Sequence, residues 1–278
     1  MIAMLGGFVT NILLDYLLVW VHGQGMTGAA LATIAGQGVT FLIAFLYSVL
    51  KKKLFICMNA GEFRFLCKSI FKVGLAPFGL ALTPNISLLI INRFSASYGG
   101  EKAIATYACI AYIICIIYLV LQGVGDGSQP LMSKYYGEQK TNELAEVKRM
   151  AYTFAVILAF IGCIIMYLGR WNIGTLFGSS DTVNSETAKI IPIFLVSVPF
   201  VAITRISTAG FYATEKAVLS YILTFIEPVL MLGLMLILPP LFGGQIIIWW
   251  STVLARIISA ILALLLTNLN RKLKMLIK

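Results

Sequence analysis

Apolar residues in this 278-residue chain come in eight long runs, at approximately 1–21, 27–50, 68–94, 103–125, 147–169, 187–210, 217–239 and 245–268. A helix needs roughly 20 apolar residues to cross the hydrocarbon of a bilayer, and each run reaches that length. Inside lipid a backbone must satisfy its own polar groups, so only helices and closed barrels survive there. The runs lack the alternation of polar and apolar residues that barrel strands need. The chain is therefore expected to be all-α, a polytopic transmembrane helical bundle of about eight spanning helices. Composition agrees with this, because only 12% of residues are charged and 60% are hydrophobic, with a mean hydropathy of +0.94. A soluble domain has about a quarter of its residues charged, so no water-facing surface is available here. Met1 to Val21 has no basic leader and no small-residue cleavage site, which makes it a spanning helix rather than a signal peptide.

The formal charge of +10 does not point to nucleic acid, because the cations sit at the ends of apolar runs instead of covering a face. Lys51, Lys52 and Lys53 follow the second run, with Arg64, Lys68 and Lys72 close behind. Lys134, Lys140, Lys148 and Arg149 follow the fourth run, and Arg271, Lys272, Lys274 and Lys278 end the chain. The alternate connections, His22 to Gly25 and Pro239 to Gly244, carry no Lys or Arg. Cytoplasmic loops collect basic residues, so both termini are expected in the cytoplasm of a multi-pass cell-membrane protein, with membrane lipid as its first partner. Trp20, Trp171, Trp249 and Trp250 fall near the expected outer ends, where an aromatic belt forms.

Residues 51–67 mix charges with Phe55, Phe63, Phe65 and Leu66, the pattern of an amphipathic linker lying along the inner interface. A weak internal repeat at an offset of about 218 residues sets Ile12–Leu50 beside Leu230–Asn268, with Gly25 on Gly243 and Thr33 on Ser251. Three parts are expected from this. Residues 1–50 are the last two helices of a first lobe, 51–67 the cytoplasmic linker, and 68–278 a complete six-helix second lobe. Four earlier helices would then be missing, so that the chain is expected to be an N-terminally truncated, incomplete copy or one completed by a partner chain.

Few residues carry chemistry. Asp15 stands inside an uncharged span, where a carboxylate costs about 2.5–3.5 kcal/mol even on the milder insertion scale. Asn11 lies one helical turn away on the same face, and Thr33 on the next helix is at similar depth. Amide, hydroxyl and carboxylate oxygens are hard ligands that suit Na+ or a carboxyl that holds a proton. Glu227 and Arg256 lie about 15 and 18 Å in from the cytoplasmic ends of their runs at 1.5 Å per residue, and are expected to pair. Pro77, Pro84, Pro192 and Pro199 free carbonyls inside the third and sixth runs and permit bending. Gly123 to Pro130, which includes Asp126, is expected to be a turn or flexible helix exit; it lacks the GK[ST] ending of a phosphate loop.

Five cysteines, Cys57, Cys67, Cys109, Cys115 and Cys163, include no CxxC and read as small apolar fillers. The single histidine, His22, has no partner for a metal or catalytic site, and no nucleophile motif is present. No enzymatic activity, cofactor or metal other than a coupling ion is expected.

Asn11-x-x-x-Asp15 followed by Gly25-x-x-Gly28-Ala29-Ala30-x-Ala32-Thr33 resembles the fifth and sixth helices of multidrug and toxic compound extrusion (MATE) transporters. Tyr98-Gly99-Gly100-Glu101-Lys102-Ala103-Ile104-Ala105-Thr106-Tyr107 resembles the link into their eighth helix, and Gln122-Gly123 through Gln129-Pro130-Leu131 with Tyr135-Tyr136-Gly137 resembles its exit. The resemblance implies two six-helix lobes around a central cavity, alternating access, and export of small cationic, amphipathic compounds against inward Na+ or H+. It assigns Asn11, Asp15 and Thr33 to the cation site of the first lobe. One family branch adds an acid on the first helix, which has no counterpart here, and another places a carboxylate where this chain has Asn85. Asn85, Asp126, Glu227 and Arg256 are the candidates for a second-lobe cavity or coupling role. Two alternatives stand beside antiport. One is an inactive fragment or a subunit of a membrane assembly. The other is a lipid-linked oligosaccharide flippase of the same superfamily, for which Arg205 and Arg256 would be the cations.

Overall fold

The computed structural model describes residues 2–51, 59–176 and 180–276. Lys52, Lys53, Phe55 and Cys57 of the expected linker, and Lys278 of the tail, lie outside the described residues. Among the described residues there is no strand. The chain divides into two compact units, Met1–Cys67 and Lys68–Lys278.

In the first unit, α1 (Ile2–Asp15) runs on as a π-helical stretch, Tyr16–Val21, reverses, and returns as α2 (Gly25–Leu50). The reversal uses Gly23 and Gly25 at φ of 64° and 53°, backbone that side chains resist. The two helices meet along a seam of small residues. A Cβ added at Gly7 would lie 1.8 Å from Thr40 Oγ1, and one added at Gly36 would lie 2.8 Å from Gly7 O. Close backbone approach of this kind is how helices associate in lipid, where burial of apolar surface gives no net drive. The outer faces carry exposed Phe8, Leu13, Trp20, Phe41 and Leu46, which only lipid or further protein can cover.

Hydroxyls are hidden by their own helices. Thr10, Thr33, Thr40 and Ser48 each donate to the carbonyl four residues back, as do Thr83, Thr106, Thr204, Thr224 and Thr252 later in the chain. A donor bonded within its own helix can face hydrocarbon without loss.

The second unit contains most of α3 (Ala60–Gly137), then α4 (Thr141–Gly169), the short α5 (Ile173–Leu176), α6 (Asp181–Leu195), α7 (Val198–Ala213), α8 (Ala217–Phe242) and α9 (Gln245–Leu276). Among the described residues six helices are long and apolar enough to cross a membrane, and α6 with α7, bent by 49°, make a seventh. Gly100, at φ 64° and ψ −160°, breaks α3 into two arms. The protein is an all-α polytopic membrane bundle.

The first arm of α3 packs on α8, where Thr83 Oγ1 also reaches Thr224 O at 3.3 Å. The second arm packs on α7, where Ser133 Oγ donates to Ala213 O at 3.1 Å, and on α4, where Gly162 admits Ile117. At the centre, Tyr107, Phe194 and Trp249 form a ring cluster with centroids 5.6–5.8 Å apart.

Two expectations need correcting. Trp249 is 1% exposed and belongs to the core, because its indole fills the space between α3 and α6; Trp20, Trp171 and Trp250 are exposed. Gly123 to Pro130 is helix and not a turn. A break within lipid would strand backbone groups, which outweighs the weak helix propensity of three glycines. Gly125 instead admits Ala209 of α7, whose Cβ would lie 3.5 Å from an added one.

The bend comes at the sixth run, and its cause is chemical. Pro199 has no N–H to give to Leu195 O four residues back. Cys163 of α4 supplies the missing donor, its Sγ lying 3.5 Å from Leu195 O. Ser197, at the break, turns its hydroxyl onto Phe194 O at 2.7 Å. A cysteine that reads as filler in the sequence is thus a partner of the kink.

Candidate transport site

In the first unit, Asn11 and Asp15 sit one turn apart on α1, both half-buried. Asn11 packs against Gly36 of α2, where a Cβ would approach its own Cβ to 2.9 Å. Its Nδ2 is buried with no acceptor among the described residues. Turning the amide over would present its oxygen at the same place. Asp15 makes no hydrogen bond or ion pair among the described residues, and the π-helical stretch begins at the next residue. Such irregular turns recur at functional places in helices because they widen the backbone locally. Thr33 is exposed and its hydroxyl is given to Ala29 O at 2.9 Å. Its oxygen keeps lone pairs for a cation, but no hydrogen bond joins the three side chains to one another.

In the second unit, Glu227 of α8 and Arg256 of α9 form an ion pair, with Arg256 Nε donating to Glu227 Oε1 at 3.1 Å. Their side chains are 19% and 8% exposed. Arg256 Nη1 also donates to Ser197 Oγ at 3.4 Å, and its guanidinium lies over the Tyr118 ring at 5.2 Å. Charge buried in hydrocarbon needs this completeness, since an unpaired guanidinium there would be far more costly. The Tyr118 hydroxyl is buried without a hydrogen-bond partner among the described residues. The pair thus ties α8 and α9 to the break between α6 and α7.

Asn85 and Asp126 stand elsewhere. Asn85 is exposed and its Nδ2 donates to Ala81 O at 3.2 Å. Asp126 is also exposed and lines a polar cavity of about 160 Å3 with Gln122, Gln129, Arg205, Thr208 and Tyr212, between α3 and α7. No hydrogen bond or ion pair among the described residues joins either of them to Glu227 or Arg256. Ser197 and Tyr118 were not legible as partners of the pair. The signal for Ser197 was its place between Pro192 and Pro199, where a spanning helix must open and needs a hydroxyl.

The spanning helices thus hold a few charges inside, among them Asp15 in the first unit and the Glu227–Arg256 pair in the second. Multidrug export protein MepA of Staphylococcus saprophyticus is 27% identical to the chain over 274 residues, covering 98% of the chain and 60% of the relative. Its namesake in Staphylococcus haemolyticus is 26% identical, covering 95% and 58%. An outward-facing structure of a multidrug resistance MATE family transporter shares the fold, with a TM-score of 0.85 at 22% identity over 97% of the chain and 61% of that structure. The chain spans about 60% of the length of the curated relatives it matches. The MatE family profile matches residues 80–237, more than half of the chain. The chain belongs to the MatE family of transporters.

Proposed function

We propose that the chain works in a secondary active transporter that exports cationic, amphipathic drugs or toxins by antiport with Na+ or H+. The observation that carries this reading is Asp15, a carboxylate inside a spanning helix with no hydrogen bond or ion pair among the described residues, beside Asn11 and at the start of a π-helical stretch. An intramembrane acid carries a free-energy penalty, and where no neighbouring cation offsets it the acid commonly marks an ion or proton pathway. Membership of the MatE family and the export function named for its MepA relatives give that pathway a direction. The coupling ion neutralises Asp15 and allows α1 and α2 to pack more closely, while the drug prefers the opposite state. Each ligand shifts the equilibrium only by its differential affinity for the two states. Both termini lie in the cytoplasm, following the basic loops.

The flippase reading is weaker, because one of its two cations, Arg256, is already neutralised by Glu227. Efflux of a cationic dye from a pump-deficient host expressing this chain tests the proposal. The chain should lower dye accumulation, and Asp15→Asn at equal membrane expression should not. Efflux retained by Asp15→Asn refutes the role of the carboxylate. No efflux by either form would favour the inactive-fragment reading.

A further inference from the structure

The cavity of about 160 Å3 between α3 and α7 has an acid on one wall and an arginine on the other. Asp126, Gln122 and Gln129 come from α3, and Arg205 and Thr208 from α7. Asp126 is exposed and Arg205 half-buried. Among the described residues neither makes a hydrogen bond or an ion pair, although both line the same space. Their level in the bundle is fixed by one contact, Ser133 Oγ donating to Ala213 O at 3.1 Å. Asp126 stands seven residues before Ser133, and Arg205 eight before Ala213. At 1.5 Å per residue both charges therefore lie about 11 or 12 Å back from that contact, across the cavity from each other.

We propose that this cavity binds a small zwitterion, a molecule with an ammonium and a carboxylate a few bonds apart, as in a free amino acid. The Arg205 guanidinium offers a planar fork of donors that matches a carboxylate. Asp126 only accepts while ionised, which suits an ammonium. The Thr208 hydroxyl already donates to Thr204 O at 2.9 Å, so only its lone pairs remain, and these too face a donor. Gln122 and Gln129 can donate or accept and fit either end of the ligand. Opposite charges left unpaired within a spanning bundle are costly, and a zwitterion offsets both at once. A simple cation or a simple anion would offset one and leave the other. The volume falls below the roughly 300–1,000 Å3 of sites for drug-sized ligands, which limits the occupant to a small molecule. The site lies wholly within the second unit and is separate from Asp15, so it does not depend on the transport reading.

Saturation-transfer NMR of the purified chain in detergent micelles tests it, with free alanine, propionate and ethylamine as probes. Propionate lacks the ammonium of alanine, and ethylamine lacks its carboxylate. Alanine should bind, and each analogue should bind about tenfold more weakly, the worth of one charge-assisted contact. Asp126→Asn should weaken alanine by a similar factor without weakening propionate. Arg205→Gln should weaken alanine and propionate without weakening ethylamine. A folding defect would lower all three probes together, so this split distinguishes a lost contact from a lost fold. Gln129→Phe, which fills the cavity without altering charge, should weaken every probe, and circular dichroism checks that each variant keeps its helices. Propionate or ethylamine binding as tightly as alanine overturns the proposal. So does a folded chain that binds no alanine, or alanine binding unchanged in both Asp126→Asn and Arg205→Gln.

Discussion

Replacing Glu227 with Leu should destabilise the second unit more than replacing Arg256 with Met, and making both changes should cost little. Glu227→Leu leaves a guanidinium that is 8% exposed, with Ser197 and the Tyr118 ring as its remaining partners. Arginine cannot shed its proton, so the charge stays. Breaking a buried pair in this way costs about 3–5 kcal/mol. A Coulomb energy of about 4 kcal/mol, for charges some 4 Å apart at an effective dielectric of about 20, gives the same size. Arg256→Met leaves a carboxyl that is 19% exposed and able to take up a proton, so a loss of about 2 kcal/mol is expected. The double variant places two apolar side chains in contact, and such replacements of buried pairs are often close to neutral. The coupling energy should therefore approach both single losses taken together, about 6 kcal/mol, and the midpoint of Glu227→Leu should fall by roughly 8–16 °C at about 2–4 °C per kcal/mol. Fluorescence-detected gel filtration after heating measures all four proteins in the same detergent. Additive losses in the double variant, or a larger loss for Arg256→Met than for Glu227→Leu, would refute the reasoning.

Other perturbations read other parts of the structure. Gly7→Ala places a Cβ 1.8 Å from Thr40 Oγ1 and 2.5 Å from Gly36 O, so the α1–α2 pair must separate. A loss of about 1–3 kcal/mol or more is expected, seen as weaker cysteine cross-linking between the two helices. Trp249→Ala empties the space between Tyr107 and Phe194 and should cost about 3–5 kcal/mol in the same heating assay, whereas exposed Trp20→Ala should cost little. Outside the membrane, Lys140 hydrogen-bonds Glu138 with the ion pair at 2.7 Å, which holds the Glu138 carboxyl below its ordinary value and the Lys140 ammonium above its own. The Glu138 contribution is present above the usual carboxylate range and lost as pH falls through its own lowered value. The Lys140 contribution is present below the usual lysine range and lost as pH rises through its raised value. A carboxyl titration followed by NMR should show Glu138 ionising at higher pH in Lys140→Ala; an unchanged midpoint would show that the contact does not persist in solution.

The bundle was readable because lipid leaves a chain few choices. A run of some twenty apolar residues must become a helix there, so the length of the runs was enough to expect a spanning bundle. The same constraint defeated local reasoning at Gly123 to Pro130, where three glycines and a proline indicate a turn in water but stay helical in the bundle. The Glu227–Arg256 pair could be anticipated because two lone charges in hydrocarbon have to find each other. Its remaining partners could not be read. Ser197 reaches Arg256 because a proline two residues later opens the chain, and Tyr118 because its ring on α3 lies under the guanidinium. Neither relation has a fixed sequence spacing.

Thr33 shows the opposite limit. Its distance along the chain from Asp15 is right for the facing helix, but depth alone does not orient a side chain, and its hydroxyl is bonded to Ala29 O. The seam of Gly7, Gly28 and Gly36 instead sets the rotation of α2 against α1. A cation at Asp15 would therefore meet Asn11 on the same helix before it met Thr33 on the next. Removing the amide in Asn11→Ala should weaken ion-dependent efflux more than removing the hydroxyl in Thr33→Val. The reverse ranking, at equal membrane expression, would show that α2 rotates when the ion binds.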